Sequence, residues 1–180
     1  YRISGDSTQA RGVIPDIEFP TLIDPEEIGE NSLPDAMAWD RIPSTRYQRI
    51  INLEPTVPLL RRKHEERAMM DPDFRYLQKR IDFIEMKKNE KTISLKESVR
   101  RTETRETEKY LLEMENERRL AKKLKPYQTF AELEAENEKP ARTRPDEDLP
   151  DHSLLQESGY ILLDLITQLR QPTPPNIAAH

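Results

Sequence analysis

Residues 70–84 read MDPDFRYLQKRIDFI, and they decide the fold class. Asp71 is a natural N-cap, with a carboxylate to accept from exposed backbone N–H groups. Pro72 suits the first helical position, where its missing N–H costs nothing. Asp73 adds negative charge to the first turn, which the helix dipole favours. Met70, Phe74, Leu77, Ile81 and Ile84 then recur at spacings of 4, 3, 4 and 3. That period predicts one apolar seam on an amphipathic helix, with Arg75, Lys79, Arg80 and Asp82 opposite. The seam must meet another helix, and Leu59, Leu60 and Met69 in the preceding LLRRKHEERAMM segment are the nearest candidates.

Further helices follow. Ser94-Leu95-Lys96-Glu97 has a capping-box pattern. Arg100–Lys109 (RRTETRETEK) holds no apolar residue, so it is either a solvated helix or disordered. Glu97–Arg101 and Glu115–Arg119 are i,i+4 pairs in the favourable order. Tyr110, Leu111, Met114, Leu120 and Leu124 form a second seam that Pro126 stops. Residues 129–137 make one more short helix, with Thr129 as cap and Glu132 three residues on. Ser153 opens SLLQESGYILLDLITQLR, the most hydrophobic helix. Its Glu157 and Ser158 are expected outward, and Leu155, Leu162, Ile166 and Leu169 inward.

The rest of the chain is different in kind. In residues 1–23 the spacing of Ile3, Val13, Ile14, Ile17 and Phe19 predicts one or two short strands, broken by Gly5, Gly12, Pro15 and Pro20. Two strands do not stand alone in water, so they are expected to complete a sheet upstream; the alternative is a frayed arm. Residues 24–58 form a Pro-rich, acidic connecting segment, apart from a short turn over Ser44–Asn52. Trp39, the only tryptophan, is expected to pin this loop onto a helical surface; the alternative is a ligand-stacking face. The domain plan is therefore 1–23 terminal strands, 24–58 connector, 59–137 helical domain, 138–152 linker, 153–170 docking helix and 171–180 mobile tail. The fold class is mainly α, a helical domain preceded by one or two short β-strands.

Composition narrows the function. In 180 residues, 34 Asp+Glu stand against 29 Lys+Arg, for a net charge of −5, and charged residues (35 %) outnumber apolar ones (34 %). Leu outnumbers Val 19 to 3, which favours helix over sheet. No apolar run approaches the roughly 20 residues that span a bilayer. The absence of cysteine removes disulfides, thiol nucleophiles and Cys-zinc sites. The chain opens on Tyr1 and reads as a piece of a longer protein.

Known catalytic patterns are missing. His64, His152 and His180 lie in a helix, a linker and a tail, without ligand spacing, and His64-Glu65-Glu66 reads as a charged helical face. Ser4, Ser7 and Thr8 have no His or Lys close in sequence to activate them. The basic clusters Arg61-Arg62-Lys63 and Lys122-Lys123 are matched by nearby Glu and lack interleaved aromatics, which argues against nucleic acid as a partner. No residue is assigned a catalytic, cofactor-binding or metal role, and no cofactor is expected.

A resemblance goes further. Tyr1, Gly5, Ser7-Thr8-Gln9, Gly12-Val13, Pro15-Asp16-Ile17 and Pro20 resemble the end of the protease domain in the bacterial tail-specific (carboxy-terminal processing) serine proteases, of the long periplasmic type known as Prc or Tsp. Leu33, Trp39-Asp40 and Ile42 look like that group's LPWDxI-type segment, although four residues here separate Pro34 from Trp39. Leu59-Leu60, His64, Arg67, Asp71-Pro72 and Phe74 look like its first helical region, and Ser94-Leu95 with Val99-Arg100 like its next. Asp151–Leu169 resembles its final helix, with Leu163-Asp164-Leu165 in register.

The resemblance implies a periplasmic Ser/Lys-dyad endopeptidase that recognises apolar C-terminal tails through a PDZ domain and needs no metal. In that family the nucleophilic Ser, the Lys and an assisting Gln all precede the Tyr1-like position. None carries onto this chain, and Gln9 does not match the catalytic Gln. The chain would then be an inactive helical appendage that helps shape the substrate enclosure. Its partners would be the upstream protease and PDZ domains and unfolded or tail-bearing proteins. The alternatives are a docking module for an adaptor or for self-association, or a free-standing helical scaffold, for which the seams are too short to sustain heptads.

Overall fold

A computed structural model describes residues 1–23, 28–48, 50–139 and 150–170. Among these, five α-helices dominate: α1 (Val57–Met70), α2 (Pro72–Lys88), α3 (Glu97–Ala121), α4 (Phe130–Asn137) and α5 (Pro150–Arg170). The fold is mainly helical, as expected. The chain divides into two compact units, Tyr1–Glu65 with Ser158–His180, and Glu66–Glu157.

In the unit Glu66–Glu157, α3 packs on α2 and on α4. Asp71 starts α2 as anticipated: its Oδ1 accepts from the N–H groups of Asp73 (2.8 Å) and Phe74 (3.0 Å). Phe74, Leu77, Met114 and Leu133 form the apolar core, each 4–6 % exposed. Met70, expected on the same seam, is 81 % exposed, because α1 ends there and Asp71 restarts the chain as a cap. Leu120, expected on the second seam, is also exposed.

The polar stretch 100–109 resolves as a solvated part of α3. Arg101 bonds Glu97 at 2.7 Å, as the i,i+4 rule requires. The Ser94–Glu97 capping box does not form. Lys96 is the N-cap, without a side-chain bond to the helix, and Ser94 Oγ accepts from Lys96 N instead (3.3 Å). At its other end α3 stops before Pro126. Lys123 takes φ +60°; Leu124 N donates to Arg119 O and Lys123 N to Leu120 O. This pair of bonds is a Schellman termination, built here without glycine. Thr129 caps α4 by accepting from Glu132 N (3.3 Å), and Glu132 Oε2 accepts from Gln128 N (2.7 Å).

In the other unit, residues 3–7 lie against 40–45. The bonds run Ser7 N to Asp40 O, Ile42 N to Gly5 O and Thr45 N to Ile3 O, around one antiparallel bridge between Asp6 and Arg41. Gly5, at φ +89°, is required there, since a Cβ would fall 2.0 Å from Ile42 O. Among the described residues of 1–23, this bridge is the only ladder contact. Trp39 docks on this N-terminal segment. Its Nε1 donates to Ser7 O (3.0 Å), and the Arg11 guanidinium stacks over its ring at 4.1 Å. The described residues within 44–52 form no helix.

His64 is buried, 6 % exposed, with its ring 4.9 Å from that of Phe19. The sequence had placed it on a solvated face; packing of the 16–19 segment on α1 covers it, with Arg61 donating to Asp16 O (2.8 Å). Lys63 pairs with Asp164 at 2.7 Å.

The last helix corrects two expectations. It begins at Pro150, inside the expected linker, whose residues 140–149 lie outside the described residues, as do 171–180. Its facing is also different. Glu157 is buried at 5 % exposure, whereas Leu155, Leu162 and Leu169 are 50–72 % exposed. The cause is a specific pairing: Arg67 grips both Glu157 oxygens at 2.7–3.0 Å, and a bidentate charge-assisted contact outweighs the apolar preference of that turn.

Candidate functional site

The most organised chemistry lies in the unit Glu66–Glu157, around Asp73, whose residue is only 1 % exposed. The first turn of α2 places its carboxylate, and two further helices converge on it. Arg118 Nε on α3 donates to Asp73 Oδ1 at 2.5 Å. Lys122 Nζ, one helical turn on, donates to Oδ2 at 2.8 Å. The Ser153 hydroxyl on α5 donates to the same Oδ2. Arg118 reaches back along its own helix to Glu115 Oε1 (2.6 Å), and its guanidinium lies 5.4 Å from the Tyr76 ring centre. Two carboxylates therefore face two cations in a nearly dry interior.

Electrostatics follow from this geometry. Burial works to raise the Asp73 pKa, but hydrogen bonds from Lys122, Ser153 and Arg118, with the Arg118 charge, together carry it below the usual carboxylate range. Glu115 goes the other way. Burial pushes it up, and its contacts with Arg118 only partly offset that. Tyr76 is raised, first by burial and then by the charge of Glu115.

Further hydrogen bonds tie the 125–127 loop to α3. Arg119 donates to Lys125 O (2.7 Å) and to the Tyr127 hydroxyl (3.0 Å), and it stacks on the Tyr127 ring at 4.2 Å. Asn116 and the Tyr127 backbone exchange two bonds, at 2.9 and 2.7 Å. Glu115 pairs with Arg118 at i,i+3 (2.6 Å), and the Arg119 charge, expected from spacing to pair with it, also acts on its carboxylate.

A hydroxyl, an amine and a carboxylate meet here. A Ser/Lys dyad needs a neutral amine that accepts the serine proton. Lys122 instead donates to a carboxylate, and the Ser153 hydroxyl donates to that same carboxylate. A cavity beside the cluster, lined by Pro72, Arg75, Tyr76, Lys79, Met114, Glu117, Arg118 and Ala121, holds about 30 Å³, room for about one water.

The residues singled out in the sequence stay apart from this cluster. Ser4 Oγ donates to Asp6 (3.0 Å), Ser7 Oγ accepts from Gln9 N (3.0 Å), and Gln9 Nε2 bonds Glu30 (2.5 Å). His152 meets Gln156 (2.9 Å), and His180 lies outside the described residues. Among the described residues no group of three His, Cys, Asp or Glu is placed to hold a metal ion, and no helix is long and apolar enough to cross a membrane. The sequence reading missed Asp73 as a hub, Arg118, Ser153 and Glu157. One signal was available: Glu115, Arg118, Arg119 and Lys122 recur at helical spacing next to Met114, the core residue of α3.

A family model described as the C-terminal domain of tail specific protease matches residues 23–167. The chain belongs to this family. A curated relative, the tail-specific protease of Haemophilus influenzae, is 36 % identical over 121 residues, covering 66 % of this chain and 17 % of the relative. The match thus spans about a sixth of that relative's length. The Asp73 hub lies within the residues that the family model matches.

Proposed function

We propose that this domain is the non-catalytic helical part of a periplasmic serine endopeptidase. In this reading a Ser/Lys dyad elsewhere in the parent protein cuts proteins at or near their C-termini, and the helical domain helps shape the enclosure that receives unfolded substrate. The observation that carries the reading is the Asp73 hub. It engages Ser153 and Lys122, the hydroxyl and amine it gathers, as hydrogen-bond donors in a buried tie between three helices. A buried polar tie between helices suits a wall. The relative's much greater length gives room for the catalytic, PDZ and remaining parts.

The exposed Leu155, Leu162, Leu163 and Leu169 of α5 also favour a second reading, a docking surface for an adaptor or for self-association. Sedimentation of the intact protein separates the two: a strict monomer that needs no added partner for cleavage removes the second.

The decisive test compares variants of the intact protein on a short peptide and on a long unfolded protein. Deleting 57–170 is expected to leave peptide hydrolysis and to abolish cleavage of the long substrate. Ser153→Ala is expected to leave peptide hydrolysis unchanged. Loss of all hydrolysis in Ser153→Ala, or undiminished digestion of the long substrate after the deletion, overturns the proposal. The isolated 180-residue chain is expected to be proteolytically inert.

A further inference from the structure

The solvated half of α3 borders a groove whose chemistry the hub does not use. Asp82, Phe83, Met86, Lys87 and Glu90 line it from the end of α2 and the turn after it, Thr92 from the connecting segment, and Glu103, Glu106, Thr107 and Tyr110 from α3; its volume is about 630 Å³. That is within the size range of small-ligand and peptide side-chain pockets. Its floor is apolar. The Phe83 and Tyr110 rings sit 5.0 Å apart, and Met86 and Tyr110 remain 52 % and 42 % exposed. Its rim is acidic, with four carboxylates against the single ammonium of Lys87. Lys87 is taken by Glu90 (2.9 Å) and Glu103 by Arg100 (2.8 Å). Asp82 bonds only the neutral Gln78 amide (2.9 Å), and Glu106 has no cation within ion-pair distance among the described residues. Residues 91–95 alongside form neither helix nor strand, which places their backbone outside any helical or strand ladder, where it can meet an extended chain.

We infer that this groove is a subsite for unfolded substrate polypeptide, accepting a bulky apolar side chain flanked by Lys or Arg. The aromatic floor removes the apolar side chain from water, and the uncompensated carboxylates of Asp82 and Glu106 meet the flanking cations. The inference deepens the enclosure reading and rests on it for the identity of the occupant.

The probe is a fluorescent peptide, acetyl-Gly-Lys-Arg-Phe-Lys-Gly-amide, titrated by anisotropy against the intact protein. Its blocked C-terminus keeps recognition of a free tail out of the measurement. Asp82→Lys with Glu106→Lys is expected to weaken binding about tenfold. The same variant should prefer a peptide with Glu in place of Lys and Arg. Met86→Ser should weaken binding about fivefold, and the distant control Glu136→Lys should leave it unchanged. All of these sites are at least partly exposed, and far-UV circular dichroism confirms folding. Equal affinity across the variants, or equal affinity for a peptide with Gly in place of Phe, overturns the inference. So does unchanged cleavage of a long basic substrate by the charge-reversed protein. Failure of the enclosure reading looks different: there, deletion of 57–170 leaves cleavage intact whatever the peptide does.

Discussion

Replacing Asp73 by Ala removes one carboxylate and takes an acceptor from three donors. Arg118, 3 % exposed, loses its Oδ1 partner; Ser153, 6 % exposed, loses its Oδ2 acceptor; Lys122 loses Oδ2. Removing one member of a buried pair costs about 3–5 kcal/mol, because the charge left behind stays desolvated. Glu115 still faces Arg118 at 2.6 Å, which places the expected loss near the lower end of that range. Domains of this size have roughly 5–15 kcal/mol in total, so a large share of the stability is at stake. The midpoint of thermal unfolding should fall by about 6–20 °C. Urea unfolding followed by far-UV circular dichroism measures the loss. A double-mutant cycle of Asp73→Asn with Arg118→Met isolates the pair and should return a coupling of about 1–3 kcal/mol. Asp82→Ala, on the exposed side of the same helix, should stay within about 0.5 kcal/mol. A loss below about 1 kcal/mol in Asp73→Ala, or a coupling of zero, would refute the claim that this carboxylate ties the helices together.

Helix caps give a smaller effect. Asp71→Ala frees the N–H groups of Asp73 and Phe74 and should cost about 1–2 kcal/mol, and Thr129→Ala about 1 kcal/mol, by the same denaturation assay. The two buried acids act oppositely with pH. The folded Asp73 titrates below its unfolded value of about 3.9, so its contribution is present above that pH and is lost as pH falls through the folded value. The folded Glu115 titrates above its unfolded value of about 4.3, so the folded state holds the extra proton and stability declines as pH rises from there. Glu115→Gln should flatten that decline in unfolding curves taken from pH 4 to 7 and leave the acid limb in place. Leu163→Ser on the exposed face of α5 should change the stability of the isolated chain by less than about 0.5 kcal/mol, read from the same urea curves.

Helix existence and type were legible because the signals are local. Asp71-Pro72 starts α2, Thr129 and Glu132 start α4, and the Phe74–Leu77 spacing names half of the core; all of these act within a turn or two of chain. The capping box at Ser94 failed on geometry, since the box needs its serine at the N-cap and the chain places Lys96 there. The hub was not legible for a different reason. Asp73 meets Arg118 at a separation of 45 residues and Ser153 at 80, and Arg67 meets Glu157 at 90. In sequence each of these charges looks like an ordinary solvated face. Whether a charge stands in water or inside is settled by whether a partner of opposite sign arrives with the right geometry, because desolvation is unfavourable until it does. Local pattern therefore dictated where α2 and α4 begin and the Phe74–Leu77 stripe that α2 turns inward. Only the assembled helices determined that a carboxylate, and not another leucine, sits where three of them meet.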